Sequence, residues 1–338
     1  MRRLLFILAV LTLVPGSERG SPFGWVVTAE AARPVAPRAA AQHGDLAFTK
    51  PEHVLAFING YREEKSPQRV VAAVKAMGDL GMLREPEESG IYIGFLAGVI
   101  KESGDGAKAL IGRMFPMPPE DQVILIKAIA YCGRDDWKDL ITHFTERMPA
   151  RKVLIERYLY RGGPMLDGLM TEATGAFAVD VYWGLYFATG DAEPAQRIVA
   201  TLAWTNEKDS VEKLTIGSMA KWTLAANATR DKGLRDIMKA EMNVQPKAVR
   251  TALSEVIEAA ETFETQRIKR DALKAIEELK HKGPQSKRDR VWWGQAGQTV
   301  LALGCVAAAA AGQVELGIPC VVGGALSSAA LKYLVPQQ

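Results

Sequence analysis

Cysteine, histidine and excess charge are all scarce in these 338 residues. The three cysteines, Cys132, Cys305 and Cys320, form no CxxC pair, which excludes thiolate zinc clusters and thioredoxin-type redox motifs. They read as small buried hydrophobes. Cys305 and Cys320 would face each other if their block folded back as a hairpin, and export would permit a disulfide between them. The four histidines, His43, His53, His143 and His281, make no HExxH pair, and no P-loop, GxSxG or GxGxxG spacing occurs. The net charge of +3 falls to about +2 without the first 31 residues, which hold three Arg and two Glu. That balance gives no reason to expect a nucleic-acid partner. Runs that alternate apolar and polar residues long enough to make a strand are missing as well, so the chain reads as all-α.

The chemistry that remains is thin. Asp139, His143 and Glu146 stand at i, i+4 and i+7 on one helix, the most metal-like set in the chain. At 100° per residue they point away from the stripe Trp137, Leu140, Ile141 and Phe144, onto the face where mixed charge belongs in solvent. The doublets Glu63-Glu64, Glu87-Glu88, Asp135-Asp136 and Glu277-Glu278 diverge by the same angle, so neither member of a pair shares a site with the other. Asp135-Asp136 suits a helix N-terminus instead. Trp137, Tyr182, Trp183, Trp204 and Trp222 recur at helical spacing and read as core, with a concave ligand groove as the other use. The sequon at Asn227 matters only in a eukaryotic secretory pathway. No catalytic residue, cofactor site or metal site is assigned.

What is present is helix grammar between two apolar ends. Arg2-Arg3, the eleven-residue apolar run Leu4 to Val14 and the pattern Ala29-Glu30-Ala31 make residues 1–31 a secretory signal. Residues 32–48 are a Pro/Ala-rich flexible arm. Thr49-Lys50-Pro51-Glu52 has the form of a capping box, and Val54, Phe57, Ile58 and Tyr61 follow on one helical face. Ser66-Pro67 opens a second helix, ended near Gly81. Further helices follow roughly every 15 to 20 residues to 243, interrupted at 161–175. Short connections make antiparallel hairpins, so 49–243 reads as an irregular α-solenoid or helical-hairpin array, without the tetratricopeptide consensus. From 246 to 282 a single long amphipathic helix is expected, about 54 Å if straight. A basic linker, 283–290, leads to an apolar Ala/Gly-rich block at 291–335, expected as a helical hairpin.

In that block the apolar runs Thr299–Ala311 and Ile318–Leu331 hold thirteen and fourteen residues, short of the roughly 20 that a spanning helix needs. Lys280, Lys282, Lys287, Arg288 and Arg290, followed by Trp292-Trp293, suit a surface of anionic headgroups. Membrane association through 291–334 is therefore expected.

Asn59-Gly60-Tyr61, Ser66-Pro67-Gln68-Arg69-Val70, Ile93-Gly94-Phe95 and the run Trp183-Gly184-Leu185-Tyr186-Phe187-Ala188-Thr189-Gly190-Asp191 all lie between Leu55 and Trp204. On these residues the chain resembles a loose group of exported bacterial all-helical proteins of unknown function, tetratricopeptide-like solenoids in build. The resemblance implies a bacterial cell-envelope protein and brings no active site. A non-catalytic, exported scaffold or adaptor with an envelope partner is the expectation. Its rivals are a hydrolase whose site is assembled from scattered residues and an assembly protein that dimerises through the long helix. A polar pocket holding two or more ionisable groups with shifted pKa would favour the hydrolase. An uncovered apolar stripe on the long helix would favour the dimer.

Overall fold

A computed structural model describes residues 48–171, 174–262 and 265–281. The expected signal, nearly all of the expected arm, the basic run 283–290, the apolar block, Cys305 and Cys320 lie outside the described residues. Among those described the chain is all helix, with thirteen α-helices and no strand: α1 (Pro51–Gly60), α2 (Pro67–Asp79), α3 (Gly90–Glu102), α4 (Ala107–Arg113), α5 (Gln122–Tyr131), α6 (Trp137–His143), α7 (Lys152–Tyr160), α8 (Gly175–Thr189), α9 (Ala192–Ala200), α10 (Val211–Ala228), α11 (Lys232–Glu241), α12 (Lys247–Glu261) and α13 (Thr265–His281).

The centre of the fold is the crossing of α3 and α8. Both helices are apolar nearly all round, with Asp180 of α8 the buried charged exception, the pattern of an enclosed helix. Every residue of α3 from Gly90 to Ile100 is buried, as is every residue of α8 from Ala178 to Ala188. Gly90, Gly94 and Gly98 fall four apart on one face of α3. That face lies directly on the backbone of α8, and a Cβ added to Gly184 of α8 would stand 2.2 Å from the carbonyl oxygen of Ile91. Only hydrogen at both positions allows helices this near each other.

A stacked hairpin array would place each helix against its chain neighbours. Here the most extensive pairing joins α3 to α8, across the intervening α4 to α7. Some chain neighbours do touch, α1 with α2, α5 with α6 and α8 with α9, but the core is organised by a pair distant in sequence.

Ends of helices follow local chemistry, with one correction. The expected capping box at Thr49 does not form: Lys50 is the N-cap, and the Thr49 hydroxyl lies 3.4 Å from His53 Nδ1. Asp136 stands at the N-terminus of α6, where its negative charge suits the helix dipole, and its carboxylate accepts two hydrogen bonds from the Arg134 guanidinium, at 2.7 and 2.8 Å, rather than one from the helix backbone. α10 and α11 are capped in the usual way, by Ser210 Oγ accepting from the Lys213 amide and Asp231 Oδ1 accepting from the Leu234 amide. α8 stops at Gly190, whose φ of 76° lets its amide return to the Tyr186 carbonyl at 2.8 Å.

The single long helix over 246–282 is corrected to two, α12 and α13, which both pack on α10. Glu255 of α12 pairs with Lys221 of α10, whereas Ile276 of α13 packs on Val211 and Leu214 at the other end of α10. A straight helix would carry Ile276 about 31 Å past Glu255, yet their partners on α10 lie only about 10 to 15 Å apart. Val249, Leu253, Val256 and Ala260 are buried in the core, so this stripe of α12 is covered within the monomer. Burial of both helices on α10 removes more apolar surface from water than a projecting rod would.

Candidate functional site

The side chains singled out from the sequence disperse in the fold. Asp139, His143 and Glu146 are all exposed, and among the described residues no three His, Cys, Asp or Glu gather as metal ligands. Glu63, Glu64, Glu87, Asp135 and Glu278 are exposed as well. Tyr182, Trp183 and Trp222 are buried, and Trp137 and Trp204 are half-buried against the core. Asn227 lies inside the last turn of α10.

Two hollows do collect functional groups. The first, a cavity of about 220 Å³, lies where α3, α5, α8 and α9 meet the 165–167 segment. Its polar wall is paired: Lys101 with Asp191 at 2.7 Å, and Arg197 with Glu193 at 2.9 Å and Asp167 at 3.3 Å. The Tyr182 hydroxyl, buried on this wall, has no hydrogen-bond partner among the described residues. Burial first, then the carboxylates of Asp167 and Glu193, push the Tyr182 phenol up to about 12, against the pull of Arg197. Burial likewise pushes the Tyr131 phenol and the Cys132 thiol up. Several perturbed groups therefore line one cavity, as a hydrolase would require. Yet each of these shifts holds a proton in place, and an attacking thiolate needs the opposite.

The second hollow is a groove of about 550 Å³ between α2 and the 113–121 segment. Val71, Val74, Met114, Phe115, Pro116 and Met117 give it an apolar lining, with Lys75, Asp79, Arg113 and Asp121 among the polar groups. α2 supplies its wall because its residues 71, 74, 75 and 78 fall at helical i, i+3, i+4 and i+7 spacing. The opposite wall is held rigidly by its own bonds. Gln122 Nε2 donates to the Met117 carbonyl at 2.9 Å, Arg151 Nε donates to that of Pro119 at 2.6 Å, and Phe115 stacks on Phe144 with ring centres 5.7 Å apart.

At the C-terminal end of α2, Asp121 meets Gly78. The Asp121 side chain is 5% exposed and lines the groove, with no hydrogen bond or ion pair to any described residue. Burial raises its carboxyl above the ordinary range, Glu120 and Asp79 add to that, and Arg84 opposes it. A Cβ at Gly78 would stand 2.7 Å from Asp121 Oδ2, so the carboxyl occupies space that only glycine leaves open. Sequence reading missed this pair. The available signal was Gly78 inside an otherwise well-formed amphipathic helix, where glycine costs about 1 kcal/mol relative to alanine and calls for a packing reason.

No family model, curated protein or solved structure matches the chain.

Proposed function

We propose that the protein is an exported, non-catalytic helical adaptor of the bacterial cell envelope, which holds an envelope partner in the groove between α2 and residues 113–121. The observation that carries this reading is the groove itself: ligand-sized, predominantly apolar and walled by braced elements, the usual character of a binding site. Its two methionines, Met114 and Met117, suit an adaptable apolar contact. The signal-like residues 1–31 support export, and the apolar 291–334 block with its basic collar supports attachment to a membrane. That block lies outside the described residues, among which no helix is long and apolar enough to cross a membrane.

A hydrolase centred on the Tyr182 cavity is the second reading, favoured by its cluster of shifted groups. Photo-crosslinking in a bacterial host separates the two. A crosslinking residue at Lys75 in the groove should capture a discrete envelope protein that the same residue at exposed Lys152 does not. Turnover of an ester, peptide or glycoside substrate that disappears in Cys132→Ala or Tyr182→Phe would instead establish the hydrolase. N-terminal sequencing of the mature chain tests export, and carbonate washing of membranes with and without 291–338 tests attachment.

A further inference from the structure

We propose that the groove receives a peptide segment in which one lysine or arginine, flanked by apolar residues, seats its charge against Asp121. This inference rests on the adaptor reading and names the chemistry of its partner.

The argument starts from Asp121. A carboxylate largely enclosed by protein without a hydrogen bond or counter-ion is unfavourable, and such groups are retained where something completes them. Among the described residues no side chain bonds to Asp121. Its side chain is enclosed yet faces the groove, and two further carboxylates, Asp79 and Glu120, act on it against the single guanidinium of Arg84. Gly78 keeps the approach of Oδ2 to α2 open, since a Cβ there would stand 2.7 Å away. Around Asp121 negative charge therefore outweighs positive, and its carboxylate is open to a cation seated in the groove.

The remaining lining says what carries that charge. Lys75 and Arg113 line the groove without an ion-pair partner among the described residues, and both are exposed. They call for acceptors, and the carbonyl groups of a peptide backbone supply acceptors without adding a competing negative charge beside Asp121. Met114, Phe115 and Met117 offer apolar surface for side chains on either side of the basic residue. A simple alkylamine would satisfy Asp121 and leave Lys75 and Arg113 unmatched. Seating a cation also favours the ionised carboxylate, so binding releases a proton and strengthens as the pH rises through the carboxyl's titration.

The test uses the full chain and a fluorescent probe peptide, acetyl-Leu-Phe-Lys-Phe-Leu-amide, beside the same peptide with norleucine for lysine. The lysine peptide should bind at least about ten-fold more tightly than the norleucine peptide. Asp121→Asn should erase that preference while leaving the norleucine peptide unchanged, and Val71→Glu should weaken both. Circular dichroism of each variant confirms that it is folded. Equal affinity for the two peptides, or a lysine preference that survives Asp121→Asn, overturns the charge seat and leaves an apolar groove for the adaptor. Binding of dodecylamine with the same Asp121 dependence and no binding of the peptides overturns the peptide assignment. Failure of every probe to bind, with crosslinking from Lys75 still intact, rejects this inference alone; loss of that crosslink rejects the adaptor.

Discussion

Gly94 of α3 lies so close to Val181 of α8 that a Cβ on the glycine would stand 1.9 Å from the valine carbonyl oxygen. The atom in the way is backbone in the middle of a buried helix, so it has no rotamer to change. Gly94→Ala is expected to destabilise the protein by about 3 kcal/mol or more, since overpacking of a tight core typically costs about 1 to 3 and here two helix axes must part. Gly60→Ala is the contrast. It has no atom within 4 Å of its added methyl and should stabilise by about 0.4 to 1 kcal/mol. Urea denaturation of both variants, followed by circular dichroism, checks the difference in sign.

Asp231 ties three elements together. Its Oδ1 caps α11, and its Oδ2 accepts from Arg62, after α1, and from the Tyr186 hydroxyl of α8 at 2.7 Å. The Arg62 guanidinium also lies over the Tyr186 ring, 4.7 Å from its centre. Tyr186→Phe should cost about 1.5 to 3 kcal/mol, one hydrogen bond to a charged acceptor. Asp231→Ala should cost about 3 kcal/mol, because it strips the cap and leaves a largely enclosed guanidinium uncompensated. A double-mutant cycle between Arg62 and Asp231 should show coupling well beyond that of exposed pairs such as Lys232–Asp236.

The buried phenols predict alkaline behaviour. Desolvation raises Tyr61 and Tyr182 to about 12, and Tyr92, Tyr131, Tyr158 and Tyr186 are raised as well. A folded pKa above the unfolded value of about 10 means stability fully present below pH 10 and lost as the pH climbs through 10 to 12. Phenolate absorbance at these residues should therefore appear together with unfolding. Parallel titrations by ultraviolet absorbance and circular dichroism check this; a large phenolate signal in the folded protein near pH 10 would contradict it.

Asp121 makes the matching prediction in acid. Its folded carboxyl is raised, so the stability that its protonated form contributes is complete below about pH 3.8 and is lost as the pH rises through the folded value. Asp121→Asn removes this loss. Relative to the wild type, the variant should gain stability between pH 3 and pH 7, measured as the shift in urea midpoint at each pH.

Helix existence was legible in the chain because apolar spacing of 3.6 residues and Pro or Gly at the ends are local signals. Pro51, Pro67 and Gly190 mark boundaries close to where the helices begin and end. Caps were less legible. Thr49 and Asp136 have capping chemistry, but their side chains meet His53 and Arg134 instead. The groove was not legible at all, since α2 and Asp121 are brought together only by the fold.

By itself, the sequence determined that the described body is helical, where its helices as far as α11 lie and that their apolar stripes must be buried. Tertiary structure alone decided which helices meet. Gly90, Gly94, Gly98 and Gly184 were visible as glycines, but that they form one close contact between α3 and α8 depends on a pairing across some ninety residues of chain. The division of 246–282 into α12 and α13 has the same origin. Local propensity favours one uninterrupted helix there, and burial against α10 outweighs it. A local pattern specifies which face is apolar; the partner that covers it is chosen by packing, which acts between residues distant in the sequence.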